Sequence, residues 1–251
     1  DTCLSRMVYG FDSRRRYKRR EFSLLFCWDE NLNSTFIFTM NNEEIQKHKA
    51  EFIDLCHSYI KRKGLEDLLA YLEQSDFYTA PSSTNFHLNE EGGLCLHSMN
   101  VFHTALRLNQ SVLKPALDEG NANFSQEIAE ESIAICALFH DLCKVKLYHK
   151  TEKWKKDEEG RWVTYPSFEI QDDFPFGHGE KSCFIINWYL HLTREELLAI
   201  RWHMGMFDMG EQGSSMRFSF RAALEKSPLV ALLHAADFLS SNCLEKTTQW
   251  K

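Results

Sequence analysis

The segment Leu138-Phe139-His140-Asp141-Leu142-Cys143-Lys144 is the most informative stretch of this sequence. An apolar helical run ends here in a histidine, an aspartate and a lysine. These polar groups need partners, because an unpaired charge inside a protein is costly. One metal ion would satisfy His140 and Asp141 together, and a plain hydrogen-bonded pair is the alternative. Lys144 lies one turn beyond Asp141, where its ammonium can face the same cavity.

Four other segments set a histidine or an aspartate in an apolar or glycine-marked context. They are Gly92-Gly93-Leu94-Cys95-Leu96-His97-Ser98, Phe176-Gly177-His178-Gly179-Glu180-Lys181-Ser182, Ile200-Arg201-Trp202-His203-Met204-Gly205 and Leu232-Leu233-His234-Ala235-Ala236-Asp237-Phe238. We expect each to lie at a helix start, a helix end or a buried helix face. For His87 and His234 two interpretations stay open: the side chain lines the cleft, or it only packs within the fold.

In this order the residues resemble the signature of the HD-domain superfamily of metal-dependent phosphohydrolases, H…HD…D on a helical bundle. Residues 91–101 are similar to the family's GGL-x-x-H-[ST] segment, residues 140–144 resemble its HD-[IL]-x-K core, and Asp237 matches its final aspartate. The resemblance covers about residues 85–241. It implies a mainly α fold of the HD type.

The resemblance extends to the six-ligand variant of the family, H…HD…H…H…D. The metal ligands that it implies are His97, His140, Asp141, His178, His203 and Asp237. By the same analogy His178 and His203 belong to a second site, the other four form the first, and Asp141 bridges the two. We expect two divalent ions, with one per chain as the alternative. Imidazole together with carboxylate suits Mn, Fe, Co, Ni or Zn.

The chemistry that the resemblance implies is attack on phosphorus by a metal-activated water. Lys144 would then hold the phosphate beside the catalytic Asp141. Further candidates for phosphate binding are Lys181, Ser182 and Arg201. For the Lys and Arg candidates, the alternative is a solvated position on a helix face.

The expected substrate is a small phosphorylated molecule, first of all a nucleotide or a short oligonucleotide. Two other functions stay open. Part of the superfamily uses the same six ligands for a di-iron oxygenase reaction on a small organic substrate, such as a polyol or a phosphonate. The third reading is a non-enzymatic nucleotide-binding module, although a complete ligand set argues against it.

Charge and composition limit the kinds of molecule that the protein is expected to bind and the compartment in which it is expected to work. Residues 40–251 carry 22 Lys and Arg against 31 Asp and Glu. This net negative charge argues against an extensive nucleic-acid-binding surface, because such surfaces use Lys and Arg to neutralise phosphates. The longest apolar runs fall well short of the roughly 20 residues that span a bilayer. Eight scattered cysteines without a signal peptide indicate a reducing compartment. We therefore expect a cytoplasmic protein without a membrane segment.

The first 39 residues differ from the rest, with seven Lys and Arg against five Asp and Glu and with an aromatic stretch. We expect residues 40–251 to form the catalytic domain. Residues 1–39 are interpreted as an upstream extension, a non-native remnant or the edge of a fragment. A basic arm that binds nucleic acid or a membrane surface is the functional alternative.

Apolar residues at helical spacing predict a mainly α fold from residue 40 onward. The predicted helices cover about residues 41–62, 65–74, 93–110, 125–147, 179–191, 194–204, 217–225 and 228–241. Asn41 and a capping box that begins at Thr193 mark two helix starts. Aromatic and β-branched residues around Gly160 predict a small β-hairpin near 148–166. Its aromatic rings would either cover the pocket or pack on the domain.

Overall fold

The computed structural model describes residues 40–208 and 214–247, and these residues are mainly α-helical, as predicted. The helices in chain order are α1 (Asn42–Tyr59), α2 (Leu65–Glu73), α3 (Gly93–Leu108), α4 (Lys114–Asp118), α5 (Glu130–Phe139), α6 (His178–Asn187), α7 (Arg194–Arg201), α8 (Ser214–Lys226) and α9 (Pro228–Leu239). Short π-helical turns at Asn109–Leu113 and Ser240–Leu244 continue α3 and α9, and 3₁₀ turns occupy Leu142–Lys144 and Gly205–Asp208. The interpretation of residues 1–39 lies outside the described residues.

Two helix starts follow directly from capping boxes. The Asn41 side chain accepts a hydrogen bond from the backbone N–H of Glu44, whose carboxylate accepts the Asn41 N–H, both at 2.9 Å. Thr193 and Glu196 form the same pair of bonds at the start of α7. Each box satisfies two backbone N–H groups at the start of a helix. Helices α1 and α7 therefore begin where the sequence predicts.

The predicted helix over residues 125–147 was wrong at both ends, since α5 spans only Glu130–Phe139. Asp141 has φ −104° and ψ 19°, outside the α-helical region, and a 3₁₀ turn follows it. On a continuous helix, the side chains of neighbouring residues point about 100° apart. Because the helix has ended, His140 Nε2 and Asp141 Oδ2 instead lie 3.4 Å from each other.

Helix α5 runs through the centre of the apolar core. Every residue from Ile133 to Phe139 is buried, and a helix that is apolar on all faces must be surrounded by other elements. Helices α1, α3, α7 and α9 pack around it. Phe139 contacts Phe52 of α1 edge to face, with ring centroids 5.9 Å apart. This packing holds the C-terminal end of α5, and with it His140, in the interior.

A buried ion pair connects the segment between α1 and α2 to α7. The Arg62 guanidinium donates two hydrogen bonds to the Glu196 carboxylate, at 2.6 and 3.0 Å. The Ser132 hydroxyl donates a third, at 2.7 Å. Both carboxylate oxygens of Glu196 are thus satisfied, which a fully buried acid requires. The network fixes α7, the helix that precedes His203.

The predicted β-hairpin is confirmed. Strands β1 (Tyr148–Lys156) and β2 (Trp162–Ile170) form a two-stranded antiparallel sheet, and β2 ends four residues later than expected. In the turn, the Asp157 carboxylate accepts the backbone N–H of Arg161 at 2.8 Å. Gly160 adopts a φ of 80°, in the left-handed region that glycine enters without strain.

Two further observations concern the described residues as a whole. Across residues 40–208 and 214–247, no helix is both long enough and apolar enough to cross a membrane. The cysteines in these ranges are free thiols, namely Cys56, Cys95, Cys136, Cys143, Cys183 and Cys243.

Candidate metal centre

The six predicted ligands come from five parts of the chain and meet in the interior. His97 lies in α3, His178 is the first residue of α6, and Asp237 lies in α9. His140 and Asp141 follow the end of α5, and His203 follows the end of α7. The side chains of His97, His140, Asp141, His203 and Asp237 are at most 12% exposed, and that of His178 is 25% exposed.

Two of these histidines are oriented by the helices that they terminate. His140 Nδ1 donates a hydrogen bond to the carbonyl of Ala137 at 2.9 Å, and His203 Nδ1 donates one to the carbonyl of Ile200 at 2.7 Å. In both cases the acceptor lies three residues earlier, among the carbonyls that a helix end leaves unpaired. A carbonyl can only accept, so Nδ1 carries the proton and Nε2 is left to face the cluster.

Close helix packing brings His178 and His203 together. A Cβ atom on Gly179 would lie 2.4 Å from the backbone oxygen of Arg201, so only glycine allows α6 to approach α7 this closely. The imidazole rings of His178 and His203 consequently lie with centroids 5.0 Å apart. Gly93 has a similar role at the start of α3, where a Cβ would lie 2.1 Å from the oxygen of Leu88.

Asp141 lies at the centre of the cluster, and its Oδ2 atom faces one half of it. His140 Nε2 lies 3.4 Å and His97 Nε2 3.6 Å from this oxygen. The Lys144 ammonium contacts the same oxygen at 2.6 Å. His97 Nε2 is also 3.3 Å from His140 Nε2 and 3.3 Å from Asp237 Oδ1.

The second oxygen of Asp141 faces the other half. Asp141 Oδ1 lies 3.0 Å from His178 Nε2 and 3.5 Å from His203 Nε2. Neither approach has the geometry of a hydrogen bond, and both Asp141 Oδ1 and His203 Nε2 are buried without a hydrogen-bond partner. The carboxylate therefore has imidazole nitrogens on both sides, as a bridging ligand requires.

The charges of the cluster depend strongly on one another. Burial acts to raise the pKa of Asp141, but Lys144 and His140 outweigh it and hold the pKa well below its usual value. Burial acts to lower the pKa of His97, yet the carboxylates of Glu245 and Asp237 raise it to about 10. Burial lowers the pKa of His203, which keeps this imidazole neutral. The carboxylates of Glu245 and Asp237 thus favour a positive charge at His97.

These residues fit a metal ion by their own chemistry. The Nε2 atoms of His97 and His140 face each other at 3.3 Å, an arrangement that needs a proton or a cation between them. Buried donor atoms without hydrogen-bond partners are expensive unless something binds them. Among the described residues, four groups of donors lie within ligating reach. They are His97 with His140 and Asp237, His140 with Asp141 and His203, Asp141 with Cys143 and His178, and His87 with His97 and Glu245.

The candidate phosphate-binding residues have different surroundings. Lys144 contacts the Asp141 carboxylate. Burial acts to lower the pKa of Lys144, but the charge of this carboxylate outweighs burial and raises the pKa. The Lys181 ammonium is paired with Asp172 at 2.5 Å. The Ser182 hydroxyl is fully buried and accepts the backbone N–H of Cys143 at 3.0 Å.

Arg201, the last of these candidates, pairs with Glu180 and stacks on Trp202, with its guanidinium carbon 4.3 Å from the ring centroid. Among the four candidates, Lys144 contacts the predicted ligand Asp141. Lys181 and Arg201 each have a carboxylate partner next to them.

Sequence reasoning missed two residues that contact the cluster. Glu245 accepts a hydrogen bond from His97 Nδ1, with its two oxygens 3.0 and 3.1 Å away. Cys143 Sγ lies 3.1 Å from His178 Nδ1. No local signal distinguishes Glu245, whereas the position of Cys143 inside the His-Asp motif could have drawn attention to it.

The two histidines that were left open both contact ligands. The His87 ring lies against the His97 ring, with centroids 4.8 Å apart, and its pKa is lowered to about 4 by burial, His97 and Lys144. His234 Nδ1 donates to the backbone carbonyl of His203 at 2.6 Å. Each therefore lies beside the cluster and supports one of its members.

Comparison with known proteins gives one match. The family model of the HD domain matches residues 96–242, more than half of the chain, and this range includes all six predicted ligands. No curated protein and no solved structure matches the chain.

Proposed function

Because the chain belongs to the HD-domain family, we propose that it hydrolyses a phosphate ester, with a nucleotide or a short oligonucleotide as substrate. The family is one of metal-dependent phosphohydrolases. The observation that carries the proposal is the position of Asp141, whose two oxygens face different pairs of imidazole nitrogens. Such a carboxylate suits two cations that share it.

In this proposal the metal is held by the six residues that the sequence predicts. His97, His140 and Asp237 would hold a first ion, His178 and His203 would hold a second, and Asp141 would serve as a ligand for both. When bound, the two ions would activate a water molecule and neutralise charge on the phosphoryl oxygens. The mixture of imidazole and carboxylate favours Mn, Fe, Co, Ni or Zn.

The chain's own residues account for binding and orientation. Lys144 is proposed to bind a phosphoryl oxygen, because its ammonium is charged and lies 2.6 Å from the central carboxylate. Lys181 and Arg201 would add phosphate contacts by exchanging their carboxylate partners for the substrate. Ser182 supports the site by fixing the backbone of Cys143, and its hydroxyl proton is available for donation.

The His178 side of the cluster is the proposed entrance for the substrate. The His178 side chain is 25% exposed, whereas His97 and His140 are almost completely buried. On the hairpin, Trp154 and Trp162 are 65% and 63% exposed, and such rings can stack on nucleobases. The exposure of His178 supports access of a phosphorylated substrate from this side of the cluster.

The test is a screen of the purified protein against nucleotides, cyclic dinucleotides and model phosphodiesters with each divalent metal. We expect phosphate-ester hydrolysis with at least one metal, and a loss of about a thousandfold or more in Asp141→Ala. Asp54→Ala, which changes an exposed aspartate of α1, is the matched control and should keep full activity. Equal turnover by Asp141→Ala would reject this site.

The same preparation separates the competing functions. Oxygen consumption on a polyol or a phosphonate by iron-loaded protein, without phosphate-ester hydrolysis, would favour the di-iron oxygenase. Nucleotide binding without turnover under any metal would favour the binding module.

A further inference from the structure

The histidines of the cluster differ in what contacts their outer nitrogen. His140 and His203 donate Nδ1–H to backbone carbonyls, and His178 Nδ1 lies beside the Cys143 thiol. Among these four imidazoles, His97 is the one whose Nδ1 contacts a carboxylate, that of Glu245. Glu245 lies outside residues 96–242, so the family match does not assign it a role.

We propose that Glu245 is a positioning residue that orients His97 and strengthens it as a metal ligand. This inference rests on the proposed function, because it takes His97 to be a ligand. The carboxylate contacts Nδ1, whereas Nε2 of the same ring faces His140 and Asp237. Glu245 therefore acts on the centre through His97.

The environment of Glu245 is well defined. Its side chain is only 1% exposed, and Oε1 also accepts a hydrogen bond from Asn100 Nδ2 at 3.0 Å. Asn100 lies in the same helix as His97, one turn later, so both donors approach from one face of α3. The His87 ring closes another side, with Nε2 3.9 Å from Glu245 Oε2.

The backbone holds this carboxylate in place from two directions. The π-helical turn Ser240–Leu244 ends α9, and the Glu245 N–H donates to the carbonyl of Ser240 at 3.0 Å. One residue later, the carbonyl of Lys246 accepts the N–H of Leu88 at 2.9 Å. The segment after α9 is thereby attached to the loop before α3, and Glu245 is directed at His97.

The chemical consequence follows from the two tautomers of a neutral imidazole, which carry the proton on Nδ1 or on Nε2. Glu245 Oε1 accepts the side-chain amide of Asn100, and both Glu245 oxygens face His97 Nδ1, at 3.0 and 3.1 Å. A carboxylate in this position accepts the Nδ1–H of His97 and leaves the Nε2 lone pair for a metal. The same contact makes the imidazole a stronger electron-pair donor to a metal.

The experiment compares cobalt(II) affinity between the wild type and Glu245→Gln, measured by competition with a chelator. We expect a 10- to 100-fold weaker first binding step in the variant, as for other residues that support a metal ligand. The change is nearly isosteric, and thermal melting of the metal-free proteins checks that both are folded. Glu73→Gln, an exposed acid paired with Lys49, is the matched control and should leave cobalt affinity unchanged.

A second readout follows His97 itself. In zinc-loaded wild-type protein, long-range nitrogen–proton NMR should show His97 with its proton on Nδ1, held in slow exchange with solvent. In Glu245→Ala we expect faster exchange of this proton, while the signals of His140 and His203 stay unchanged. Glu245→Asp, which keeps the charge but is one methylene shorter, should recover part of the cobalt affinity.

The outcomes separate this inference from the proposed function. Cobalt binding by the wild type with equal affinity in Glu245→Gln would overturn the role of Glu245 and leave the metal centre intact. Absence of cobalt and zinc binding in the wild type would overturn the metal centre and this inference together. A large loss of affinity with an unchanged His97 spectrum would show that Glu245 does not act through His97, and would also overturn the inference.

Discussion

The two ends of the metal cluster are built differently. At the His97 end, His97 and His140 are almost fully buried and the outer nitrogen of His97 contacts a carboxylate. At the His178 end, the side chain of His178 is 25% exposed and its outer nitrogen lies 3.1 Å from the sulfur atom of Cys143. Asp141 joins the two ends, with one oxygen facing each.

For the proposed two-ion centre, this difference predicts two unequal sites. A carboxylate is a stronger hydrogen-bond acceptor than a sulfur atom, so the His97 end is the better prepared for a cation. The His178 end is the more accessible and is supported by a weaker acceptor. We therefore expect a tightly held ion at the His97 end and a more readily exchanged ion at the His178 end, where the substrate enters.

The largest expected effect comes from removing one ligand at each end. His178→Ala should lower the affinity for the second ion at least about 100-fold and leave one ion per chain. His97→Ala should lower the affinity for the tighter ion, and both variants should lose hydrolysis. Metal content after gel filtration, measured by mass spectrometry, gives the stoichiometry. Equal metal loss in both variants would contradict two unequal sites.

Metal removal gives a second measure of the same difference. A chelator should remove the ion at the His178 end first and the ion at the His97 end in a slower phase. At ion concentrations about a thousand times Kd, binding stabilises a fold by about 4 kcal/mol, which corresponds to roughly 10 °C in Tm. Differential scanning calorimetry of loaded and stripped protein measures this. A single fast phase, with no change in Tm, would argue against a tightly held ion.

A smaller effect is expected from the thiol beside His178. Cys143→Ala removes a sulfur contact worth about 1 kcal/mol, which corresponds to about fivefold in affinity for the second ion. Cys143→Ser, which keeps a polar group there, should be closer to the wild type. Isothermal titration with cobalt(II) resolves the two steps. A loss in Cys143→Ala as large as that in Glu245→Gln would remove the distinction between the ends.

The smallest effect on the metal is expected from Glu196, a buried carboxylate outside the cluster. Its oxygens are already satisfied by Arg62 and Ser132, so Glu196→Gln should leave metal affinity unchanged. Stability should fall by about 2 kcal/mol, because a charged hydrogen-bonded pair is weakened. Urea unfolding of the metal-free protein measures this loss. A shift in metal affinity would mean that α7 transmits changes to His203.

The sequence predicted those features that depend on residues close together in the chain. The Asn41 cap and the Thr193 capping box predicted the starts of α1 and α7, and aromatic and β-branched residues around Gly160 predicted the hairpin. The six histidines and aspartates were found because each interrupts an apolar or glycine-marked segment. Their common location followed from the resemblance of their order to a family pattern.

The end of α5 was not predictable in the same way. The apolar pattern continues through Leu142 and Val145, so helical spacing alone extends the helix past His140. In the structure the helix ends earlier, because Asp141 leaves the α-helical region, and the side chains of His140 and Asp141 lie 3.4 Å apart.

The sequence by itself therefore predicted the mainly α fold, the starts of α1 and α7, the hairpin and the six candidate ligands, because capping, periodicity and motif order are local or sequential properties. Only the tertiary structure decided which acid lies beside His97. Glu245 is 148 positions away from it and is one of 36 acidic residues, and nothing in its neighbours distinguishes it. Its role arises from the turn after α9 and the loop before α3, which bring one carboxylate to one imidazole in a buried place.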